Sequence, residues 1–226
     1  MKIKTICGNS LEVMLKVPDK YFDLIITDPP YNLGKDYGSK VNDAMSSDEY
    51  LEWSKQWFEQ AKRIAKGIIF TPGWNQLKMW LTEIEYPKGI VVWYNKTQMM
   101  HSSLGGFNHW EPILVYGKIN FGRNVIVVPV GSQKLFKTFR TKHPNPKPVK
   151  LITEILGTAN PKPKRVLDPF MGIGTTLMSC KMLRISCLGI ELNPEYVNEA
   201  EKYLKYYVER NITSDFVDNS EEFEWI

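Results

Sequence analysis

Short apolar runs alternate along the chain with longer stretches in which apolar positions return every three or four residues. The short runs read as strands covered on both faces, and the longer stretches as the helices that cover them. Strands are expected at Ile3–Cys7, Leu24–Thr27, Gly67–Thr71, Ile90–Trp93, Ile113–Tyr116, Val166–Leu167 and Cys187–Ile190. The clearest helix is expected over Asp48–Ala65. There Ser46 and Glu49 have the spacing of a capping box, and Tyr50, Trp53, Trp57, Ala61 and Ile64 share one face. That aromatic stripe reads as core. A second helix opens at "NPEYVNEA", with Asn193 as cap and Pro194 as first helical residue, and a third is expected over Thr175–Met182. The fold class that follows is α/β, a doubly wound and mostly parallel sheet.

A chain of 226 residues suits one such domain, 1–226, with a small insertion. Hydrophobic residues make up 43% and charged residues 24%, as in ordinary globular proteins, and no apolar run is long enough to cross a bilayer. The opening "MKIKTICGNS" lacks the apolar stretch of a signal peptide. The 3 cysteines form no CxxC pair, which fits a reducing, cytoplasmic setting, and the 3 histidines show no HExxH spacing, so no metal is expected. Charge changes the picture more. The last twelve residues, "DFVDNSEEFEWI", hold five acids and no base. Between Glu111 and Glu154 there is no acid at all, while Lys118, Arg123, Lys134, Lys137, Arg140, Lys142, Lys147 and Lys150 lie there. A solvated basic loop would look like this, and so would a stripe that holds a polyanion in a salt-dependent way. The punctuation "VPVGSQ" and "HPNPKP" marks residues 118–148 as the least regular region, within which 118–142 is the insertion.

Two stretches carry candidate chemistry. In "RVLDPFMGIGTT" a strand enters a glycine-rich turn and then a helix, whose free N–H groups and close backbone approach suit a ligand at Gly172 and Gly174. A dinucleotide site would want a third glycine at 177, where Leu177 stands, so NAD and FAD fit poorly. Asp168 at the strand end favours a positively charged ligand, and Glu191 at the end of the next strand is placed for a ribose diol. S-adenosylmethionine meets these demands, although a tight structural turn would explain the loop as well. In "DLIITDPPYN" a strand runs into Asp28, Pro29, Pro30 and Tyr31. A proline following Asp28 keeps the chain extended, prolines leave carbonyls without neighbouring donors, and Tyr31 offers an aromatic face. Together they describe a clamp for a planar ring with an exocyclic amine, Asp28 and the Pro29 carbonyl taking its two protons.

With these pieces in hand, the chain resembles the DNA amino-methyltransferases in their permuted β arrangement. "DPPY" (28–31) is followed by "HWEPILVYGK" (109–118), the basic insertion, "HPNPKP" (143–148), "DPFMGIGTT" (168–176) and "GIEL" (189–192), in that class's order. The resemblance implies a seven-stranded sheet, S-adenosylmethionine as cofactor and double-stranded DNA as partner. A cognate restriction endonuclease is an optional companion, and the chain would be a monomer or homodimer. It implies that Asp28, Pro29, Pro30 and Tyr31 hold a flipped base. Asp168, Phe170, Gly172, Gly174, Thr175 and Thr176 would line the cofactor site, with Glu191 on the ribose and His143 and Lys147 closing over the methionine end. Asn9 stands where relatives have an acid facing the adenine and keeps only an amide oxygen as acceptor. The acid-free insertion becomes the target-recognition region, with Lys134, Lys137, Arg140 and Lys142 on phosphates. The loop "NLGKDYGSK" that follows the clamp is expected to fold over the base. Methylation at carbon 5 of cytosine is excluded, because no cysteine follows a proline. Glutamine methyltransferases of this fold have Asn in place of Asp28 and put the cofactor loop first. Asp28 favours N6 of adenine over N4 of cytosine. N4-cytosine, an RNA substrate and a catalytically silent nucleic-acid-binding relative remain as alternatives.

Overall fold

The computed structural model describes residues 1–35, 43–97, 100–101, 105–129, 141, 143–211 and 223. Among them the main sheet has strands β1 (Ile3–Cys7), β2 (Phe22–Thr27), β3 (Ala65–Phe70), β4 (Gly89–Tyr94), β5 (Trp110–Gly117), β6 (Val125–Val127), β7 (Arg165–Asp168) and β8 (Ser186–Glu191). Their order across the sheet is β1-β8-β7-β2-β3-β5-β4-β6. The five strands from β1 to β3 run parallel, β5 is antiparallel to both its neighbours, and β6 adds in parallel to β4 at the edge. The seven strands expected are all present. The short eighth, β6, lies inside the region expected to be irregular and gives its start a place in the fold.

Helices cover both faces. On one side lie α1 (Ser10–Lys16), α2 (Ser47–Ile64) and α3, in which Leu77–Met79 continues as a π-helical turn over Trp80–Ile84. On the other lie α4 (Val149–Thr158), α5 (Thr175–Met182) and α6 (Pro194–Asn211). The period of two in the strands divides the core between these layers. Leu24, Ile26, Ile69, Ile113 and Val115 pack with α4–α6, whereas Ile25, Ile68, Phe70, Leu114 and Tyr116 pack with α1–α3. Burial on both faces is why these strands read as continuous apolar runs. β2 stops at Thr27 because Pro29 and Pro30 cannot donate to a ladder. Among the described residues no helix is long and apolar enough to cross a membrane.

Candidate active site

β2 and β7 are neighbours, with Val166 level with Leu24, but the chain leaves them in opposite directions. From β2 it passes through α2 to β3, and from β7 through α5 to β8. Such divergence opens a crevice beyond the carboxyl ends of the strands, where open α/β sheets bind ligands. A cleft of about 270 Å³ lies there, lined by Asn9, Asp28, Pro29, Pro30, Tyr31, His143, Phe170, Gly172 and Glu191. A smaller adjoining cavity is reached by Asp28, Thr71, Lys147, Asp168, Thr175 and Thr176. Sequence positions far apart thus meet at one place. Gly174 is absent from both linings. It starts α5 at φ 81°, and a Cβ there would meet the Ala200 Cβ at 2.9 Å, so its missing side chain admits α6. Lys134, Lys137, Arg140 and Lys142 lie outside the described residues, as do residues 36–42 of the loop after the clamp.

The clamp is held from several elements. Asp28 Oδ1 accepts hydrogen bonds from the hydroxyls of Tyr31 and Thr71, whose oxygens lie 2.9 Å apart. Lys147 Nζ stands 3.6 Å from the same oxygen and donates to Glu111 Oε2 at 2.8 Å. The Tyr50 hydroxyl donates to the Pro30 carbonyl at 2.8 Å, and Gln76 Nε2 to the Tyr31 carbonyl at 2.9 Å. Pro30 is therefore an anchor of the turn. Among the described residues nothing hydrogen-bonds to Asp28 Oδ2 or to the Pro29 carbonyl. Two acceptors remain on residues that line the cleft. The loop that follows is tied down at its base: Asp43 accepts from the backbone N–H groups of Asn32, Leu33 and Lys35 at 2.8, 3.1 and 2.9 Å.

The opposite wall is the turn after β7. Asp168 Oδ1 accepts from Thr27 Oγ1 at 2.6 Å and from the Phe170 N–H at 3.1 Å. Gly172 takes φ 51°, and a Cβ there would reach 3.0 Å from His143 Nε2, so only glycine lets the turn pass beneath the imidazole. Glu191 accepts from the backbone N–H groups of Gly172 and Asn193 at 3.0 and 2.8 Å and so locks the glycine turn to the end of β8. Asn9 Oδ1 accepts from the Leu11 N–H at 2.9 Å: it is the N-cap of α1 as well as part of the cleft wall.

Burial shapes the charges. It raises Asp28 above the ordinary carboxylate range against the pull of Lys147, Thr71 and Tyr31. It raises Asp168 to about 6 despite hydrogen bonds from Thr176, Thr27 and Phe170, and pushes His143 down to about 4, which keeps that imidazole neutral. Burial also raises Glu191. It pulls Lys147 down, but Asp28, Tyr31 and Glu111 outweigh it and the ammonium persists. Among the described residues no lysine or arginine lines the larger cleft, whereas Asp28 and Glu191 do. Acids, a neutral histidine and the rings of Trp53, Phe170 and Tyr196 suit a flat, positively charged ligand such as S-adenosylmethionine.

Four contributors escaped the sequence reading. Trp53 was expected in the core, yet it lines the cleft, 5.5 Å from the Phe170 ring, while Tyr50, Trp57, Ala61 and Ile64 are buried as expected. Its helical phase puts it at the margin of the buried face, which periodicity alone does not resolve. Thr71 and Glu111 act only through partners distant in sequence. Ser10, whose hydroxyl donates to the Pro169 carbonyl, ties α1 to the glycine turn. Lys147 stands behind the clamp, against Glu111 and Asp28, in the smaller cavity.

Comparison with known proteins gives the same reading. The DNA methylase family model, N6_N4_Mtase, matches residues 22–202. Type II methyltransferase M.HpaI of Haemophilus parainfluenzae is 30% identical over 239 residues, covering 90% of this chain and 74% of the relative. Among solved structures, the M1.HpyAVI–SAM complex superposes with a TM-score of 0.63 at 23% identity, covering 89% of this chain and 98% of that one. The PvuII DNA methyltransferase (cytosine-N4-specific) reaches a TM-score of 0.71 at 18% identity, covering 94% and 89%. The chain therefore belongs to the N6/N4 DNA methylase family and is an S-adenosylmethionine-dependent DNA amino-methyltransferase.

Proposed function

We propose that the enzyme methylates N6 of an adenine turned out of double-stranded DNA into the cleft. The observation that carries this reading is the pair of unoccupied acceptors at the end of β2, Asp28 Oδ2 and the Pro29 carbonyl, beside the turn that follows β7. An exocyclic amine has two protons to give, and its lone pair is delocalised into the ring. Accepting a hydrogen bond from each N–H draws the nitrogen toward a pyramidal, nucleophilic form and stabilises the positive charge that develops on it as the methyl group is transferred, after which one of the two protons is lost, by way of Asp28, to solvent. Thr71 and the Tyr31 hydroxyl fix the carboxylate, Tyr50 and Gln76 fix the peptide around it, and the Tyr31 ring lines the cleft for the base. S-adenosylmethionine supplies, when bound, a methyl group activated on a cationic sulfur. Phe170, Gly172, Glu191, His143 and Asn9 would hold it, with Asp168 behind the turn, Thr176 hydrogen-bonded to that acid and Thr175 beside them in the smaller cavity. Holding donor and amine in line supplies proximity, and a few kcal/mol is spent in unstacking the base. The basic insertion would position the duplex through its phosphates.

Asp28 as the first residue of the clamp favours adenine. N4 of cytosine is the second reading, favoured by the likeness to the cytosine-N4-specific PvuII enzyme. Nucleoside mass spectrometry of unmethylated duplex DNA, incubated with protein and S-adenosylmethionine, separates them: N6-methyladenine is expected, and N4-methylcytosine would overturn the choice of base. Asp28→Ala should cut transfer by at least about 10²-fold while calorimetric binding of S-adenosylmethionine persists. Retained turnover in that variant would remove Asp28 from the chemistry.

A further inference from the structure

Glu111 on β5 and Lys147 just before α4 are 7% and 6% exposed and bonded at 2.8 Å, an ion pair almost out of water. The Lys147 ammonium also stands 5.4 Å from the ring centroids of both Tyr31 and Trp93. Fold stability gives little reason for such a pair, because well-packed apolar residues of similar volume often serve as well or better. Its location gives a reason. We infer that Glu111 and Lys147 are positioning residues for methyl transfer: Lys147 keeps Asp28 ionised, and Glu111 holds the ammonium back so that the carboxylate stays open to the amine. The inference rests on the reading of Asp28 as the acceptor of the amine protons.

The distances carry the division of labour. At 3.6 Å the ammonium favours the charged carboxylate without a hydrogen bond, whereas at 2.8 Å it is bonded to Glu111. Without Glu111, the flexible lysine would close on Asp28 Oδ1, compete there with Tyr31 and Thr71, and pull the carboxylate out of the setting that presents Oδ2 to the amine. Among the described residues, the groups that face Asp28 are the Tyr31 phenol from its own turn, the Thr71 hydroxyl at the end of β3, Glu111 from β5, Lys147 from the segment before α4, and the Asp168 carboxylate from β7, and His143 feels the Lys147 charge in turn. Of these, Lys147 provides the one positive charge that persists at neutral pH, and its pull on Asp28 exceeds the opposing push of Glu111.

The test reads Asp28 directly, by carbon-13 NMR titration of its side-chain carboxyl in the full chain without cofactor, the signal assigned with Asp28→Asn. In Lys147→Met the midpoint should rise by about 1–3 pH units, the size of effect a close opposite charge exerts. In Lys147→Arg it should stay near the wild-type value, and in Glu111→Gln it should fall. Because Lys147→Met leaves Glu111 without its cation, the double variant Glu111→Gln/Lys147→Met repeats the test without a buried lone charge, and there a smaller rise is expected. The acidic limb of kcat should move in the same direction as each midpoint. Midpoints that stay at the wild-type value in both Lys147→Met variants would overturn the inference. A wild-type protein that transfers no methyl group would instead overturn the reading of function, while the midpoints still decide the role of the charge pair.

Discussion

Asp168 is a carboxylate buried to 3% exposure whose titration is pushed up to about 6. Its folded value lies above its ordinary value of 3.8, so the fold favours the protonated form. The stability tied to that proton is fully present below 3.8 and is lost as pH rises through about 6. Asp168→Asn keeps an acceptor for Thr27 and for the Phe170 N–H but cannot ionise. Denaturant unfolding without cofactor should show the wild type losing ground to the variant as pH rises from about 3.8 through about 6, by up to about 3 kcal/mol in all. A gap that does not change with pH would mean that burial is not what raises this acid. At this scale the sequence was readable where one residue type does one thing. Asp28, Asp168, Gly172 and Glu191 all lie at the crevice, because a strand end fixes where its last side chain goes. Thr71, Glu111 and the place of Lys147 were not readable. Their meaning lies in contacts 43, 36 and 119 positions away in the chain, which no local pattern encodes.

Helices tell the same story one level up. α2 was expected over Asp48–Ala65 and spans Ser47–Ile64, because its start is written in side chains: Ser46 Oγ accepts from the Glu49 N–H at 3.3 Å, and Glu49 Oε2 accepts from the Ser46 N–H at 2.9 Å. Ser46→Ala should therefore lower stability by about 1 kcal/mol, read as a shift in the urea midpoint with an unchanged slope. No shift would mean that the box adds nothing beyond the packing of Trp57, Phe58 and Ala61. α1 and α4 were missed for the converse reason. α1 spans seven residues, too few for a period to show, and its Asn9 cap had been read only as a ligand contact. α4 has Pro148 as its N-cap with no side-chain cap bond, and it follows directly on the stretch that basic residues and prolines make look irregular. β6 is a three-residue edge strand whose Val125 and Val127 are exposed, so neither length nor alternation marked it. The order of strands, which makes the crevice, is a property of pairing and not of any one segment.

Across the whole molecule the charge layout and the fold point the same way. The insertion begins at the sheet edge, where β6 joins β4, and returns at Thr141, whose hydroxyl donates to Glu199 at 2.7 Å, and at His143 in the cleft wall. Lys142 and Arg140 precede His143 by one and three residues in the sequence. If the stripe holds the duplex as proposed, binding should release counterions from each phosphate that it neutralises. Lys137→Ala should reduce the slope of log K against log salt by about 0.9 and weaken binding to specific and random duplexes alike. Filter binding or fluorescence anisotropy across a salt series, with wild type alongside, measures both effects. A base-reading side chain would lose discrimination between sequences with its affinity. An unchanged slope would place the Lys137 ammonium away from the backbone and leave the phosphate contacts to its neighbours. The acidic residues of the last twelve positions work against the same attraction. Replacing Glu221, Glu222 and Glu224 by glutamine, which keeps Phe223 buried against Tyr21 and Phe22, should thus tighten binding at low salt and leave it nearly unchanged where screening is strong.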